Sequence, residues 1–245
     1  MARIDNKKNF RGTIGNVVFR TLDGKQIVQS KAARRKQTKA TKISGSEFRQ
    51  CSTWAKQLRL GLGSFLVGLN DSYMYRRFAG AFYKALQTNN QLPKGERNPF
   101  NSTMGSLAGF EFNNHSPFTT YFTPPITAVL NNERKLVFTI PAFTTQTELQ
   151  FPENVHKAEL VLYAYSTNLG DNATIAEDYT IIPFDQNSPS QNETTWTSLP
   201  LPEGSFTLVC AKIMYYRMNT FSVKNYVNTL KLNPAVIVAT FGDNG

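Results

Sequence analysis

The residues of this sequence best suited to binding chemistry are six cations that lie within twelve residues. The segment runs from residue 31 to residue 42 and contains no acidic residue and no large apolar side chain. Lys and Arg side chains neutralise phosphate groups, so this composition points to a polyanionic partner such as nucleic acid. Because the segment cannot form a core of its own, we expect it to be exposed and mobile until a partner orders it. Its cations are Lys31, Arg34, Arg35, Lys36, Lys39 and Lys42.

Two predicted helices after this segment carry further cations. The first follows a capping-box pattern at residues 44–47, with apolar residues at helical spacing after it. The second is predicted over about residues 71–87. Their cations extend the positive surface, and Trp54 and Tyr75 could stack on unpaired bases. The helical cations are Arg49, Lys56, Arg59, Arg76, Arg77 and Lys84.

Side chains that commonly catalyse reactions or bind metals are scarce. Cys51 and Cys210 are the only thiols of the sequence, and His115 and His156 are its only imidazoles. These residues leave a Cys/His zinc site or a disulfide framework almost no ligands. Cys51 falls on the apolar face of the first predicted helix, where a thiol packs as a small apolar group. We therefore predict a protein that is not an enzyme and has no cofactor.

The net charge of the 245 residues is +10, and it is unevenly distributed. Residues 1–100 carry 20 Lys and Arg against 5 Asp and Glu, a net charge of +15. Residues 101–245 carry 7 against 12, a net charge of −5. This asymmetry predicts two regions with different roles, of which the basic one contacts a polyanion.

The elements around these cations predict two domains. Two β-rich runs flank Asp23-Gly24, a pair that is typical of a hairpin turn. Residues 88–106 are rich in Asn, Pro, Gly and Ser, as domain linkers are. Beyond them, about seven to nine short β-rich runs alternate with turn residues, a pattern typical of an antiparallel sandwich. The predicted fold class is α+β, with an N-terminal β-hairpin and two-helix module at residues 1–100 and an antiparallel β-sandwich at residues 107–245.

Several short motifs along the chain carry a family resemblance. They lie at Gly12–Arg20, Gln29–Lys31, Phe48, Ala55–Arg59, Gly109–Asn113 and Ile140–Ala142. In order and character they resemble a set of uncharacterised proteins common in Bacteroidota, in which a short basic N-terminal module precedes a β-sandwich-like domain. The resemblance implies a two-part layout and a bacterial or phage-like origin. It implies no activity, no catalytic residue and no cofactor.

Two functions fit these observations. The first is a structural protein whose basic N-terminal module contacts nucleic acid without sequence specificity, because phosphate contacts position a protein without reading bases. The second is a self-assembling structural component, as in a phage particle or a surface assembly, whose basic segment and hairpin contact neighbouring subunits of a homo-oligomer. A solubilising linker without a specific partner is a third interpretation of the basic segment.

The sequence also bears on location. The longest apolar run, Leu58 to Leu69, contains Arg59 and three glycines, so no membrane span is expected. No secretory signal is visible at the start, which disfavours an extracellular sugar-binding module. We expect a protein that is cytoplasmic or assembled in a particle.

Overall fold

The computed structural model describes residues 2–6, 8–22, 25–33, 36–170, 174–188 and 190–242. Helices and antiparallel sheets are both present, which confirms the predicted α+β class. The chain forms two compact units, Met1–Lys42 and Ile43–Gly245. The chain thus divides well before the predicted linker at residues 88–106, and the two-helix region belongs largely to the same unit as the C-terminal strands.

The first unit is built on an antiparallel sheet. Its strands are β1 (Arg3–Ile4), β2 (Phe10–Ile14), β3 (Val17–Leu22) and β4 (Lys25–Ser30). They follow one another across the sheet in the order β1-β2-β3-β4. The predicted Asp23-Gly24 turn lies outside the described residues. No described residue between 2 and 42 is buried, so this part of the chain has no core of its own.

The helices are α1 (Lys39–Gly61), α2 (Gly63–Leu66) and α3 (Met74–Leu86). The first begins before its predicted capping box, because the Thr38 hydroxyl accepts a hydrogen bond from the Thr41 amide at 3.1 Å and caps the first turn. Glu47 of the predicted box is instead buried, and its carboxylate accepts the Gly95 amide at 3.1 Å. Residues 39–42, which were expected in a mobile segment, are therefore helical.

The second unit contains a smaller and a larger antiparallel sheet. Their strands are β5 (Thr127–Leu130), β6 (Lys135–Ile140), β7 (Lys157–Thr167), β8 (Thr174–Asp185), β9 (Thr194–Pro200), β10 (Phe206–Met218), β11 (Lys224–Tyr226) and β12 (Ala235–Phe241). The smaller sheet has the order β5-β6-β9. The larger has the order β11-β10-β7-β8, and β12 also pairs with β10. Short helical turns lie at Gly105–Leu107, α4 (Phe118–Tyr121) and α5 (Thr145–Glu148).

Strand β10 joins two hydrophobic cores. Leu208 and Cys210 lie in a core with apolar residues of α1 and α3, such as Phe82. Val209 and Ala211 point to the opposite face of the sheet and lie in a second core with residues of β6. The helices therefore bury their apolar stripes against the larger sheet. This shared core is the physical reason why the two-helix region does not form a domain with the N-terminal strands.

Candidate functional site

A groove between α1 and α3 gathers three of the predicted cations. The buried stripe of α1 contains Cys51 and Leu58, and that of α3 contains Phe78 and Phe82. Because these stripes face the core, the neighbouring sides of both helices remain open to solvent and form a groove of about 440 Å³. It is lined by Phe48, Ser52, Ala55, Lys56, Arg59, Tyr75, Arg76, Ala79 and Gly80.

Small residues keep the groove open. Ala55 and Ala79 lie along it, and a Cβ added at Gly80 would meet no heavy atom within 4 Å. A helix-interior glycine costs about 1 kcal/mol relative to alanine, so Gly80 gives the groove space at some expense of helix stability. These small lining residues can therefore admit a flat group that larger side chains would exclude.

The cations of the groove are free of acidic partners in the described ranges. Neither Lys56, Arg59 nor Arg76 forms an ion pair with a described carboxylate. The Arg76 Nε donates a hydrogen bond to the Tyr75 hydroxyl at 2.8 Å. Its guanidinium carbon lies 5.5 Å from the centre of the Tyr75 ring and 5.7 Å from that of Tyr73. These contacts hold Arg76 beside exposed aromatic rings and leave donors for an anion.

Two aromatic rings border the same space. Phe48 and Tyr75 are each 49% exposed, an unusual fraction for large rings that line a groove. The Phe48 ring packs edge-on against Tyr83, with ring centres 5.3 Å apart, which fixes its orientation. Trp54, the other aromatic residue singled out in the sequence, packs against the core between helices and sheet and does not line the groove. Phe48 was missed as a site residue because its apolar helical position predicted burial.

Arg77 is engaged inside the fold. Its guanidinium donates to the Asp71 carboxylate and, at 2.9 Å, to the Glu111 carbonyl oxygen, and it lies 5.1 Å from the Phe110 ring centre. Burial opposes ionisation of Asp71, but hydrogen bonds from Arg77 and from the Asn114 amide outweigh it and lower the Asp71 pKa. Arg77, which the sequence placed on the positive surface, therefore ties α3 to the segment around residue 111.

The other cations predicted in the N-terminal half, outside the groove and apart from Arg77, are either exposed or undescribed. Lys31, Lys36, Lys39 and Lys42 are exposed, and so is Arg49 on α1 outside the groove. Arg34 and Arg35 lie outside the described residues. The described cations are thus accessible to a partner, although they line no common pocket.

The N-terminal sheet has a cationic face that sequence reasoning missed. Arg3 pairs with Arg11 across β1 and β2, and Arg20 and Lys25 point to the same face of β3 and β4. All four side chains are exposed, and Arg11 also bonds Asp5 at 3.0 Å. The period of two along these strands was the signal that could have identified this face.

The opposite face of this sheet carries no charged side chain and is mostly apolar, with Thr21, Gln26 and Ser30 as its polar residues. Ile4 faces Phe10, Ile14 faces Val17 and Phe19 faces Val28 in the strand register, and the Phe10 and Phe19 ring centres lie 5.7 Å apart. Ile4, Phe10, Ile14 and Val28 are between 46% and 63% exposed. An apolar sheet face of this kind is marginally stable unless something covers it.

The net charge of the chain lies entirely in the first unit. Met1–Lys42 carries 12 Lys and Arg against 2 Asp and Glu, a net charge of +10. Ile43–Gly245 carries 15 against 15 and is neutral. The charge boundary therefore coincides with the structural boundary and not with the predicted one near residue 100.

The two cysteine thiols are buried in the fold, which affects their ionisation. Burial, with a smaller effect from Glu47, raises the pKa of Cys51 to about 12, and burial also raises the pKa of Cys210. Both thiols are buried and free. The described ranges contain no cluster of three or more His, Cys, Asp or Glu side chains suited to a metal ion.

Two further observations concern the chain as a whole. Among the described residues, no helix is long and apolar enough to cross a membrane. Neither a comparison with known protein families nor one with curated proteins finds a match for this chain.

Proposed function

We propose that this protein is a non-enzymatic structural protein that binds nucleic acid through phosphate contacts, without sequence specificity. The observation that carries the proposal is the concentration of the whole +10 charge in a 42-residue unit whose described cations are exposed. In this proposal the two sheets of the second unit form a sandwich-like scaffold, and the basic unit and the groove contact the ligand.

The first turn of α1 supports a phosphate contact. It contains Lys39 and Lys42 and no acidic residue, although the N-terminus of a helix carries a partial positive charge. Lysines at this end are unfavourable for the free helix, and a bound phosphate would relieve the repulsion. A natural anionic ligand therefore explains a charge pattern that helix stability alone disfavours.

The proposal is tested with fluorescently labelled single-stranded and duplex oligonucleotides at low salt. The test variant replaces Lys36, Lys39 and Lys42 with Gln and is not expected to unfold, because it removes cations from a helix N-terminus. Each exposed ion pair contributes about 0.2–1 kcal/mol, so we expect affinity to fall about 3- to 150-fold.

The matched control replaces three exposed lysines of the second unit, Lys84, Lys94 and Lys231, with Gln, and so changes the net charge equally. We expect the control to retain most of the affinity. Equal losses in the two variants would mean that net charge alone acts, and absence of binding by the unaltered protein would contradict the proposal.

A second candidate function is self-assembly, which the uncovered apolar face of the N-terminal sheet favours. That face carries no charged side chain, whereas the opposite face carries Arg3, Arg11, Arg20 and Lys25. Two copies of a unit with net charge +10 repel each other least where their uncharged faces meet. The occupant we propose is therefore the same face of a second copy, which would make a two-layer sheet with cations on both outer surfaces.

The size of this face indicates a weak dimer. With strands about 4.8 Å apart and about 3.4 Å per residue, it measures roughly 400 Å² per copy, or about 800 Å² for two copies, which is below the range of stable interfaces. Sedimentation velocity over a concentration series should show a dimer that Val28→Lys abolishes and that Gln29→Lys, on the opposite face of the same strand, leaves intact. A monomer at every concentration would refute self-assembly through this face.

A further inference from the structure

We infer that the groove between α1 and α3 binds an unpaired nucleobase together with its phosphate, so that the protein prefers single-stranded nucleic acid to duplex. This inference rests on the proposed nucleic-acid function and deepens it. Its basis is the coincidence, in one open groove, of exposed rings, small lining residues and cations that form no ion pair with a described carboxylate.

The rings provide the stacking surface. Phe48 comes from α1 and Tyr75 from α3, and both are half exposed although each lines the groove. Unpaired bases stack on such rings whatever their identity, because every base has a π face. In a duplex both faces of each base are already stacked, and only base edges are accessible in the grooves. The rings therefore favour a single strand.

The cations provide the phosphate contacts. Lys56 and Arg59 lie along α1, and Arg76 lies on α3 next to the Tyr75 ring. None of the three forms an ion pair with a described carboxylate, so no acidic group has to be displaced. A nucleotide that stacks on the Tyr75 ring would place its phosphate near Arg76, whose guanidinium carbon lies 5.5 Å from the centre of that ring. Guanidinium groups beside aromatic rings also stack on bases.

Small lining residues leave space in the groove for a planar base. Gly80 leaves room for a side chain, since a Cβ there would meet no heavy atom within 4 Å. A planar base can occupy this space, whereas a leucine at the same position would fill it. Because Gly80 lies inside a helix, both alanine and leucine are compatible with the backbone and improve helix propensity.

The experiment compares three labelled 12-nucleotide probes at low salt: oligothymidylate, an abasic strand of equal length and charge, and a 12-base-pair duplex. We expect the oligothymidylate to bind more tightly than the abasic strand and the duplex. Base stacking of about 1–3 kcal/mol corresponds to a loss of about 5- to 150-fold in oligothymidylate affinity for Tyr75→Ala. Gly80→Leu should produce a comparable loss.

The controls separate stacking from folding and charge. Tyr75→Phe keeps the ring and Gly80→Ala adds only a methyl group, so each should lose less affinity than Tyr75→Ala or Gly80→Leu. Tyr179→Ala removes an exposed ring outside the groove and should bind oligothymidylate normally. Circular dichroism checks that each variant folds. If oligothymidylate and the abasic strand bind equally, or if Tyr75→Ala and Gly80→Leu bind oligothymidylate normally, the inference is wrong although the proposed function stands. If no probe binds, both fail.

Discussion

Lys212 offers a quantitative test of the core between the helices and the larger sheet. It lies in β10 and is only 2% exposed. Its Nζ donates a hydrogen bond to the Phe65 carbonyl oxygen at 2.9 Å and lies 5.8 Å from the centre of the Phe65 ring. Burial lowers the pKa of Lys212 to about 8, whereas an unburied lysine has a pKa of about 10.5.

The sign of the pH dependence follows from these two values. Below pH 8 both the folded and the unfolded chain hold the proton, so the cost of burying the charge is fully present. Between pH 8 and pH 10.5 the folded chain releases the proton and the unfolded chain still holds it, so the contribution of Lys212 to the unfolding free energy rises with pH. From the two pKa values, the gain between pH 7 and pH 9 is about 1.3 kcal/mol.

Urea unfolding of the unaltered protein and of Lys212→Met at pH 7 and pH 9 measures this gain. Groups such as Cys51, whose raised pKa lowers stability above pH 9, are common to both chains and cancel in the difference. We expect the unfolding free energy of the unaltered protein, relative to Lys212→Met, to increase by about 1.3 kcal/mol between the two pH values. A difference that does not change with pH would refute the burial of a titrating lysine in this core.

Three further substitutions test local features of the second unit. Val67 is 60% exposed and has a φ of 52°, a conformation that strains a β-branched residue. Val67→Gly should therefore raise the unfolding free energy, measured in urea, by up to about 1 kcal/mol. Gly61→Ala would place a Cβ against the buried ring of Tyr165, so we expect the unfolding free energy to fall by about 1–3 kcal/mol in the same assay. An unchanged unfolding free energy would contradict this packing. Arg77→Gln leaves the Asp71 carboxylate without its guanidinium partner, so it should lower the melting temperature, at a cost of about 1–3 kcal/mol in unfolding free energy. Nucleic-acid affinity should stay unchanged. A loss of affinity in the folded variant would mean that Arg77 contacts the nucleic acid.

Local patterns in the sequence were sufficient for much of the secondary structure. The apolar spacing that predicts α3 over about residues 71–87 corresponds to a helix at Met74–Leu86. Clusters of Lys and Arg were visible directly, and the structure brings Lys56, Arg59 and Arg76 to one groove. These features depend on neighbours within a few residues, which a single sequence displays.

Features that depend on distant contacts could not be predicted in this way. The polar segment 88–106 has the composition of a linker, yet it is held by side-chain hydrogen bonds such as that from Asn89 to the Asn101 carbonyl oxygen at 2.7 Å. Composition indicates where a chain turns but not which apolar faces pack together. Likewise Arg77 and Arg76 are adjacent and equally basic, and only the fold reveals that Arg77 contacts a carbonyl 34 residues away.

The salt dependence of single-strand binding reports directly on phosphate contacts by the basic unit. The slope of the logarithm of the association constant against the logarithm of salt concentration counts phosphate contacts, at about 0.7 per contact for a single strand. We expect that replacing Lys36, Lys39 and Lys42 with Gln makes this slope shallower by about 2, whereas the matched replacement of Lys84, Lys94 and Lys231 leaves it unchanged. A slope that is the same in both variants, or an affinity that does not depend on salt, would contradict phosphate binding by the basic unit.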